Sequence, residues 1–443
     1  MAGLRKRARL FVLLMRVLGA QTIMLHTIQP ETHGPLGKPM ADAVQACVHC
    51  GFCLAACPTY KELGQEMDTP RGRIVLMKQV LEGTLAQDQA LPHVDQCLGC
   101  LACEPVCPSG VAYRDLISPF RALSEKTRKR PLLERLRRWM ISATLPYPSR
   151  FRFAAWLGGI GREFAPLMPR SLRPMFDLIP AKIPPGRTIP ELNPAMGQRR
   201  ARVALLTGCA QQVLEPDINM ATIEVLCRNG IEVIVPPGQG CCGALSWHVG
   251  DIDSARKFAR RNLHAFPADV DAIITNAAGC GSGLHEYHLI LAGEPEAERA
   301  EVFRHRVKDV SSFLAECGLV AGFPQGRKCR VAYQDACHLA NAQGVRDEPR
   351  ELLRAVPGLE LLELADAHLC CGSAGTYNID QPEIAGRLGA AKAKAVIDSG
   401  AEIVATGNIG CMSQLRVHLA KQKSSIAVRH TMQVLRDAYE GRI

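Results

Sequence analysis

Two runs of cysteine are the feature of this chain that most clearly implies chemistry. Both follow the pattern C-x2-C-x2-C-x3-C-P. This spacing is typical of loops that wrap a [4Fe-4S] cluster, and the fourth cysteine of each run then ligates the other cluster. The sequence therefore predicts one cluster on Cys47, Cys50, Cys53 and Cys107, and a second on Cys97, Cys100, Cys103 and Cys57.

Structural zinc is the alternative for these thiols, because zinc also takes four thiolates. A zinc ribbon needs two separated C-x-x-C pairs and has no use for two runs that end in Cys-Pro, as these do at Pro58 and Pro108. Iron-sulfur ligation is therefore favoured, and it predicts a chain that carries electrons.

More cysteines recur in an internal repeat of the carboxyl-terminal half. Each copy has a cysteine after an apolar strand, then Cys-Cys-Gly, then a cysteine after another strand. The members are Cys209, Cys241, Cys242 and Cys280 in the first copy, and Cys337, Cys370, Cys371 and Cys411 in the second. Four thiols per copy suit one metal centre, iron-sulfur or other, although buried structural cysteine remains the alternative.

Strands and helices alternate around these repeated cysteines. The apolar patterns predict strands at 203–206, 231–235, 272–275 and 402–405, with a helix at 251–265. Such alternation predicts an open parallel sheet, whose ligands lie at the carboxyl ends of strands. Cys209, Cys280 and Cys411 follow strands in this way.

A helical spacer is predicted between the two cysteine runs. Asp68 or Thr69 can cap it, Pro70 suits its first turn, and apolar residues recur on one face as far as Leu85. With the first cysteines of the runs fifty residues apart, we expect a helix-rich two-cluster domain rather than a compact small ferredoxin.

The predicted fold class is therefore α+β and multidomain. A helix-rich ferredoxin-type domain with two [4Fe-4S] clusters precedes two repeated α/β Cys-Cys-Gly modules with parallel sheets. The expected boundaries are an extension at 1–39, in which Met24 is an alternative first residue, the two-cluster domain at 40–125, a linker at 126–200, and modules at 201–328 and 329–443.

The linker is rich in Pro, Arg and aromatic residues, which predicts short helices. Its mixture of Arg with Trp and Phe suits an interface with lipid or quinone, and packing onto neighbouring domains is the alternative. The apolar segment at 10–25 is too short to span a membrane and is either a weak amphipathic anchor or an extension without structural consequence.

Net charge and composition indicate which classes of partner this chain can be expected to bind. The net charge is +10, but aromatic residues make up only 5% and no nucleic-acid motif accompanies the basic residues, so nucleic acid is not expected. Anionic lipid or an acidic protein fits better. Sixteen of the nineteen cysteines lie in ligand-like clusters, which favours a reducing compartment, so we expect a cytoplasmic protein, free or peripheral on the cytoplasmic face of the inner membrane.

The chain shows no machinery for oxidising an organic substrate itself. Gly238, Gly240 and Gly243 formally match a dinucleotide fingerprint, but the residues between Gly240 and Gly243 are cysteines and the second copy has no equivalent of Gly238 and Gly240. No Walker A or nucleophile-elbow sequence is present. We therefore expect no catalytic residue here, and a flavin or nicotinamide on another subunit.

Taken together, the cysteine runs, the segment from Thr69 to Arg73 and the two Cys-Cys-Gly copies resemble the iron-sulfur subunit of bacterial glycolate oxidase. The resemblance implies FAD-binding subunits that oxidise glycolate to glyoxylate, while this subunit passes the electrons toward quinone or another membrane acceptor. It also implies that the subunit alone does not act on substrate.

The Cys-Cys-Gly copies also resemble subunits related to heterodisulfide reductase, anaerobic glycerol-3-phosphate dehydrogenase and lactate-utilisation proteins. Heterodisulfide-reductase relatives end each module with C-x-x-C, whereas Cys280 and Cys411 here have no such partner. A subunit of a D-lactate or glycerol-3-phosphate dehydrogenase, a thiol or heterodisulfide reductase, and a zinc-stabilised scaffold are the alternatives.

Overall fold

The computed structural model describes residues 24–161, 179–180 and 182–443. The chain divides into two compact units. The first unit ends at Arg128 and also contains His248–Asp251, and the second unit comprises Lys129–Trp247 and Ile252–Ile443. Most of the 10–25 segment lies outside the described residues, as do residues 162–178 and 181 of the predicted linker.

The first unit is helical and carries both cysteine runs in loops. Its α-helices are α1 (Gly37–Gln45), α2 (Pro58–Leu63), α3 (Pro70–Leu81), α4 (Gln87–Asp95) and α5 (Arg114–Glu125), with 3-10 turns at Pro30–Leu36 and Glu66–Asp68. The first run lies between α1 and α2, and the second lies between α4 and α5. Fully buried side chains on these helices, among them Met40, Met77 and Phe120, form the interior.

Helix α3 is the predicted spacer. Thr69 precedes it, and the Thr69 hydroxyl accepts a hydrogen bond from the backbone N–H of Gly72 at 2.9 Å. An N-cap of this kind satisfies a backbone donor that the helix itself leaves unpaired. The helix ends at Leu81, so Leu85 lies beyond it.

The second unit begins with two helices, α6 (Leu132–Thr144) and α7 (Pro148–Gly161). They have 13 and 14 residues, so this part of the chain contains longer helices than the short ones that its prolines predicted. Pro146 and Pro148 fall in or beside the turn between them, where proline restricts the backbone without breaking either helix.

Two sheets follow in the described part of the second unit. The five-stranded sheet has the order β1-β3-β2-β4-β5, and the four-stranded sheet has the order β7-β6-β8-β9. The strands are β1 (Leu192–Asn193), β2 (Ala201–Leu206), β3 (Ile231–Ile234), β4 (Ala272–Thr275), β5 (Val307–Asp309), β6 (Cys329–Tyr333), β7 (Leu359–Glu363), β8 (Ile403–Thr406) and β9 (Ala427–His430). All pairings are parallel except that of β1 with β3.

Helices connect these parallel strands. They are α8 (Gln211–Leu214), α9 (Asp217–Arg228), α10 (Ala244–His248), α11 (Ile252–Ala265), α12 (Ala278–His285), α13 (Tyr287–Ile290), α14 (Ala297–His305), α15 (Val310–Cys317), α16 (Glu348–Arg354), α17 (Tyr377–Asp380), α18 (Pro382–Asp398), α19 (Ile409–Lys421) and α20 (Thr431–Tyr439), with a π-helical turn at His338–Ala342. The four strands and the helix predicted around the repeated cysteines are all present, with boundaries shifted by at most two residues.

Both sheets of the second unit contribute to one apolar core. Val203, Val233 and Leu226 from the first repeat pack in the same cluster as Val331 and Leu435 from the second. Polar contacts accompany this packing, because the Asn229 amide donates to the Tyr439 hydroxyl at 3.0 Å. The two repeats therefore share an interior, although their sequences read as separate modules.

Candidate iron-sulfur sites

The first thiol group, Cys47, Cys50, Cys53 and Cys107, lines a single pocket of the first unit, and Cys103 of the second run lines the same pocket. Cys47 is buried, Cys53 and Cys107 are partly buried, and Cys50 is exposed. Burial raises the pKa of Cys47, and it raises the pKa of Cys53 to about 12. The structure thus places Cys107 of the second run with three cysteines of the first run.

The second thiol group, Cys97, Cys100, Cys103 and Cys57, is more deeply placed, since all four side chains are buried. Burial raises the pKa of Cys103 well above its usual value, and the nearby Cys100, Cys97 and Cys57 add to this effect. Cys57 of the first run therefore lies with three cysteines of the second run.

A buried arginine lies beside the second thiol group. Only 1% of Arg73 is exposed, and its Nε donates to the carbonyl oxygen of His93 at 2.7 Å. Its Nη1 donates to the Thr59 hydroxyl at 3.0 Å, and that hydroxyl lies 3.1 Å from the Cys57 sulfur. Its Nη2 makes no hydrogen bond and lies 3.6 Å from Asp68 Oδ1.

The positive charge of Arg73 affects the pKa of a nearby thiol, that of Cys97. Burial acts to raise the pKa of Cys97, but the guanidinium groups of Arg73 and Arg121 and two hydrogen-bond donors together outweigh burial, and the pKa is lowered. The backbone N–H of Gly99, 3.4 Å from the Cys97 sulfur, and the Tyr113 hydroxyl act in the same direction. The surroundings of Cys97 therefore favour a thiolate, the form that binds metal.

The third thiol group, Cys209, Cys241, Cys242 and Cys280, gathers near the carboxyl ends of β2 and β4. The Cys209 and Cys241 sulfurs are 3.4 Å apart, and Cys242 contacts both Cys241 and Cys280. Hydrogen bonds from Cys209 and Cys242 hold the pKa of Cys241 well below its usual value. The amide of Asn262 and the hydroxyl of Tyr287 donate to the carbonyl oxygens of Cys241 and Cys242, which fixes the backbone of this pair.

The fourth thiol group, Cys337, Cys370, Cys371 and Cys411, repeats this arrangement at β6 and β8. The Cys337 and Cys370 sulfurs are 3.9 Å apart, and Cys371 contacts Cys370 and Cys411. Hydrogen bonds from those two neighbours lower the pKa of Cys371, and the charge of the buried Lys392 contributes. The Lys392 ammonium donates to the carbonyl oxygen of Asp366 at 2.7 Å.

The donors of each group fit an iron-sulfur cluster, which takes four thiolates. Backbone N–H groups already point at sulfur in three of the groups: Gly99 N to Cys97 at 3.4 Å, Gly243 N to Cys241 at 3.4 Å and Gly372 N to Cys370 at 3.5 Å. In the part of the chain that the structure describes, no set of three or more His, Cys, Asp or Glu side chains has the arrangement of a single-ion site. The four thiolates of a cubane bind four different irons and need not meet at one point.

Several polar residues around the thiols have no signal of their own in the sequence. Arg73 and Thr59 take their importance from burial, which cannot be read from an isolated Arg or Thr. Lys392 lies among the small residues of α18, where a lysine ordinarily faces solvent. Cys227 and Cys329 are buried in the shared core, while Cys317 is partly buried beside it.

Comparison with known proteins defines the class of this chain. A 4Fe-4S dicluster domain matches residues 43–111, and a Cysteine-rich domain matches residues 203–285 and again residues 331–416. These matches cover the loops and sheets that carry the four thiol groups. The chain is an iron-sulfur protein with a dicluster domain followed by two cysteine-rich repeats, and its fold is α+β.

The curated relatives identify the family. The probable glycolate oxidase iron-sulfur subunit of Bacillus subtilis (strain 168) is 39% identical over 407 residues, which cover 86% of this chain and 90% of that protein. The glycolate oxidase iron-sulfur subunit of Escherichia coli (strain K12) is 37% identical over 406 residues, covering 90% of this chain and 95% of that protein. This chain belongs to the family of glycolate oxidase iron-sulfur subunits.

A shorter relative covers about half of the chain. Lactate utilization protein A of Oceanobacillus iheyensis (strain DSM 14371 / CIP 107618 / JCM 11309 / KCTC 3954 / HTE831) is 29% identical over 243 residues, which are 55% of this chain and 99% of that protein.

Among the helices that the structure describes, none combines the length and apolar character needed to cross a bilayer.

Proposed function

We propose that this chain is the electron-transfer subunit of a cytoplasmic, flavin-dependent glycolate dehydrogenase complex. In this proposal, FAD-binding subunits oxidise glycolate to glyoxylate and release two electrons and two protons. This chain receives the electrons from flavin and passes them toward quinone or another membrane acceptor. It has no catalytic residue for glycolate itself.

The placement of the fourth cysteine of each run near the first three of the other run is what supports the proposal. Cys107 lies with Cys47, Cys50 and Cys53, and Cys57 lies with Cys97, Cys100 and Cys103. Two four-thiol groups formed in this way belong to one helical unit, so two cluster sites share a single scaffold. Single-ion structural sites have no need of this placement.

A [4Fe-4S] cluster, when bound, exchanges one electron at a time, so two clusters suit a partner whose flavin delivers electrons singly. The protein supplies ligands and surroundings. Cys50 gives the first thiol group an exposed side, where a partner's redox group can approach. The second thiol group is shielded from water, and Arg73 and Arg121 place positive charge beside its sulfurs.

We also propose that the third and fourth thiol groups bind metal, most simply as further iron-sulfur centres. Their support is the convergence of four thiols on each of two equivalent sheet edges, with one cysteine of low pKa in each group. A purely apolar role would not require four cysteines to meet twice in the same arrangement.

The test uses the complex purified anaerobically with its native partner subunits. Glycolate is added to one sample and D-lactate to another, and the visible iron-sulfur absorption is followed. We expect rapid bleaching by glycolate. Bleaching by D-lactate alone would indicate that the chain is the electron-transfer subunit of a lactate dehydrogenase. Bleaching by neither substrate would contradict an electron-transfer function with these substrates.

A pair of cysteine variants shows whether the bleaching depends on the proposed ligands. Cys100→Ser removes a buried member of the second thiol group, and we expect it to lose iron and part of the bleaching amplitude. Cys317→Ser is the matched control, because Cys317 is partly buried and has no counterpart in the repeat. Equal iron content in the two variants would remove Cys100 from the ligand set.

A further inference from the structure

Helices α6 and α7 expose their apolar sides. Eight of the fifteen large apolar residues exposed in the described structure lie on these two helices, and we call them the hairpin surface. Its members are Leu132, Leu133, Leu136, Trp139, Phe153, Trp156, Leu157 and Ile160. Trp139 is 65% exposed and Phe153 is 61% exposed, values that a side chain packed in a core never reaches.

The spacing of these residues is that of a helix face. On α7, Phe153, Trp156, Leu157 and Ile160 follow the i, i+3, i+4, i+7 pattern, which places them on one side. In a helix of a globular protein, such a stripe ordinarily faces the core. Here it faces outward, and only Ala155 of this helix is buried.

Helices α6 and α7, together called the hairpin, are nevertheless bound to the rest of the second unit by several contacts. Arg152 donates to the carbonyl oxygen of Gln212 at 3.0 Å, and Arg137 forms an ion pair with Asp380. The ring of Tyr147 lies 6.0 Å from that of Phe258. These contacts hold the helices with their apolar side outward, so the exposure does not come from a loose segment.

The hairpin also carries strong positive charge. Between 129 and 161 the chain has seven Lys and Arg residues and one acidic residue, Glu134. Arg135 and Arg150 are exposed, and Arg150 lies over the ring of Tyr147. Arginine can place its stem on apolar surface while its head reaches anionic groups.

We propose that the hairpin surface docks on an anionic lipid bilayer, with α6 and α7 lying in the plane of the membrane interface. Outward apolar stripes, two exposed tryptophans and flanking arginines are the combination that binds such a surface. An acidic protein partner would match the same charge and apolar surface, and the vesicle and copurification measurements below distinguish it from a bilayer. The docking brings a protein of this family to a membrane whichever substrate its partners oxidise.

The test measures binding of the full chain to vesicles of phosphatidylcholine alone and of phosphatidylcholine with phosphatidylglycerol. We expect stronger binding to the anionic vesicles, weakened by salt. The chain has three tryptophans, and Trp247 is fully buried. Quenching of Trp139 and Trp156 by brominated lipid therefore reports insertion of the hairpin surface above a constant background.

A variant with Leu132, Leu136, Leu157 and Ile160 changed to serine keeps both exposed tryptophans. We expect its binding to anionic vesicles to be at least about tenfold weaker, because apolar area buried in the interface drives this docking. In the matched control, Val302 and Val320 are changed to serine. These residues are 61% and 59% exposed but lie outside the hairpin surface, so the control should bind anionic vesicles normally. Arg135→Gln and Arg150→Gln should each weaken binding about fivefold.

Equal vesicle binding by the wild type and the serine variant would overturn the proposal. If the same variant also lost copurifying flavoprotein subunits, the hairpin surface would be a protein interface. Bleaching by glycolate, measured without vesicles, separates either result from a failure of the proposed electron-transfer role.

Discussion

The two arginines of the Thr69–Arg73 segment have different surroundings, although only one residue separates them. Arg71 lines the pocket of the first thiol group, is partly exposed and pairs with Glu66 at 2.7 Å. Arg73 is buried beside the second thiol group, and its nearest carboxylate oxygen is 3.6 Å away. Solvent and a close counter-ion therefore screen the charge of Arg71 more strongly than that of Arg73.

Replacing Arg73 should change the reduction potential of the cluster proposed for the second thiol group. Adding an electron makes a thiolate-bound cluster more negative, so a nearby positive charge stabilises the reduced form and raises the potential. A unit charge in a partly buried site is worth on the order of 2 kcal/mol, or about 100 mV for one electron. We expect Arg73→Gln to lower one of the two potentials by that order in an anaerobic titration followed by electron paramagnetic resonance.

Two companion variants make this result specific. Arg73→Lys keeps the charge and should recover much of the lost potential, while Arg71→Gln should have the smaller effect. Iron content is measured for each variant, so that a lost cluster is not mistaken for a shifted one. The electrostatic role of Arg73 would be refuted if Arg73→Gln retained both clusters and both potentials stayed at their wild-type values.

At the scale of the element, backbone conformation and steric contacts explain why glycine follows each pair of cysteines. Gly243 and Gly372 have φ angles of +81° and +84°, the left-handed region that other residues rarely adopt. A Cβ on Gly372 would lie 2.7 Å from the carbonyl oxygen of Ala385 in α18, and one on Gly243 would lie 3.2 Å from that of Ala255 in α11. The turn after each cysteine pair therefore packs directly on a helix.

Replacing these glycines with alanine should lower the free energy of unfolding, and the loss should be larger where the turn lies closer to the helix. Gly238→Ala is the matched control, because Gly238 has φ of +81° and nothing within 4 Å of its Cβ position, so it should cost only about 1 kcal/mol. Gly372→Ala adds a backbone clash and should cost on the order of 3 kcal/mol, with Gly243→Ala between them. Thermal unfolding under anaerobic conditions measures the series, and similar losses for Gly238→Ala and Gly372→Ala would contradict the steric argument.

Local patterns predicted the elements well, because strand alternation and cysteine spacing act over a few residues. The predicted strand at 272–275 was found at those residues, and Cys209, Cys280 and Cys411 lie beyond strand ends as expected. The direction in which a helix turns its apolar side depends on distant packing, so the sequence left open whether the aromatic residues of α7 face outward or pack on neighbouring domains. Burial of Arg73 depends on tertiary packing in the same way.

At the scale of the whole molecule, the two repeats share more than their sequence pattern. Arg436 of α20 forms a bidentate ion pair with Asp217 of α9 at 2.7 and 2.8 Å, and Leu226 and Leu435 are buried in the common core. A unit with one interior loses stability throughout when that interior is damaged. The repeats are therefore expected to unfold together, which their separate cysteine patterns do not indicate.

Hydrogen exchange can test this coupling in the full chain. Leu226→Ala removes a fully buried side chain of the first repeat and should cost about 2–5 kcal/mol. Because the cavity opens in the shared core, we expect faster exchange not only in α9 but also in β6 and α20 of the second repeat. If the faster exchange caused by Leu226→Ala stopped before residue 329, the repeats would be independent folding units despite their common interior.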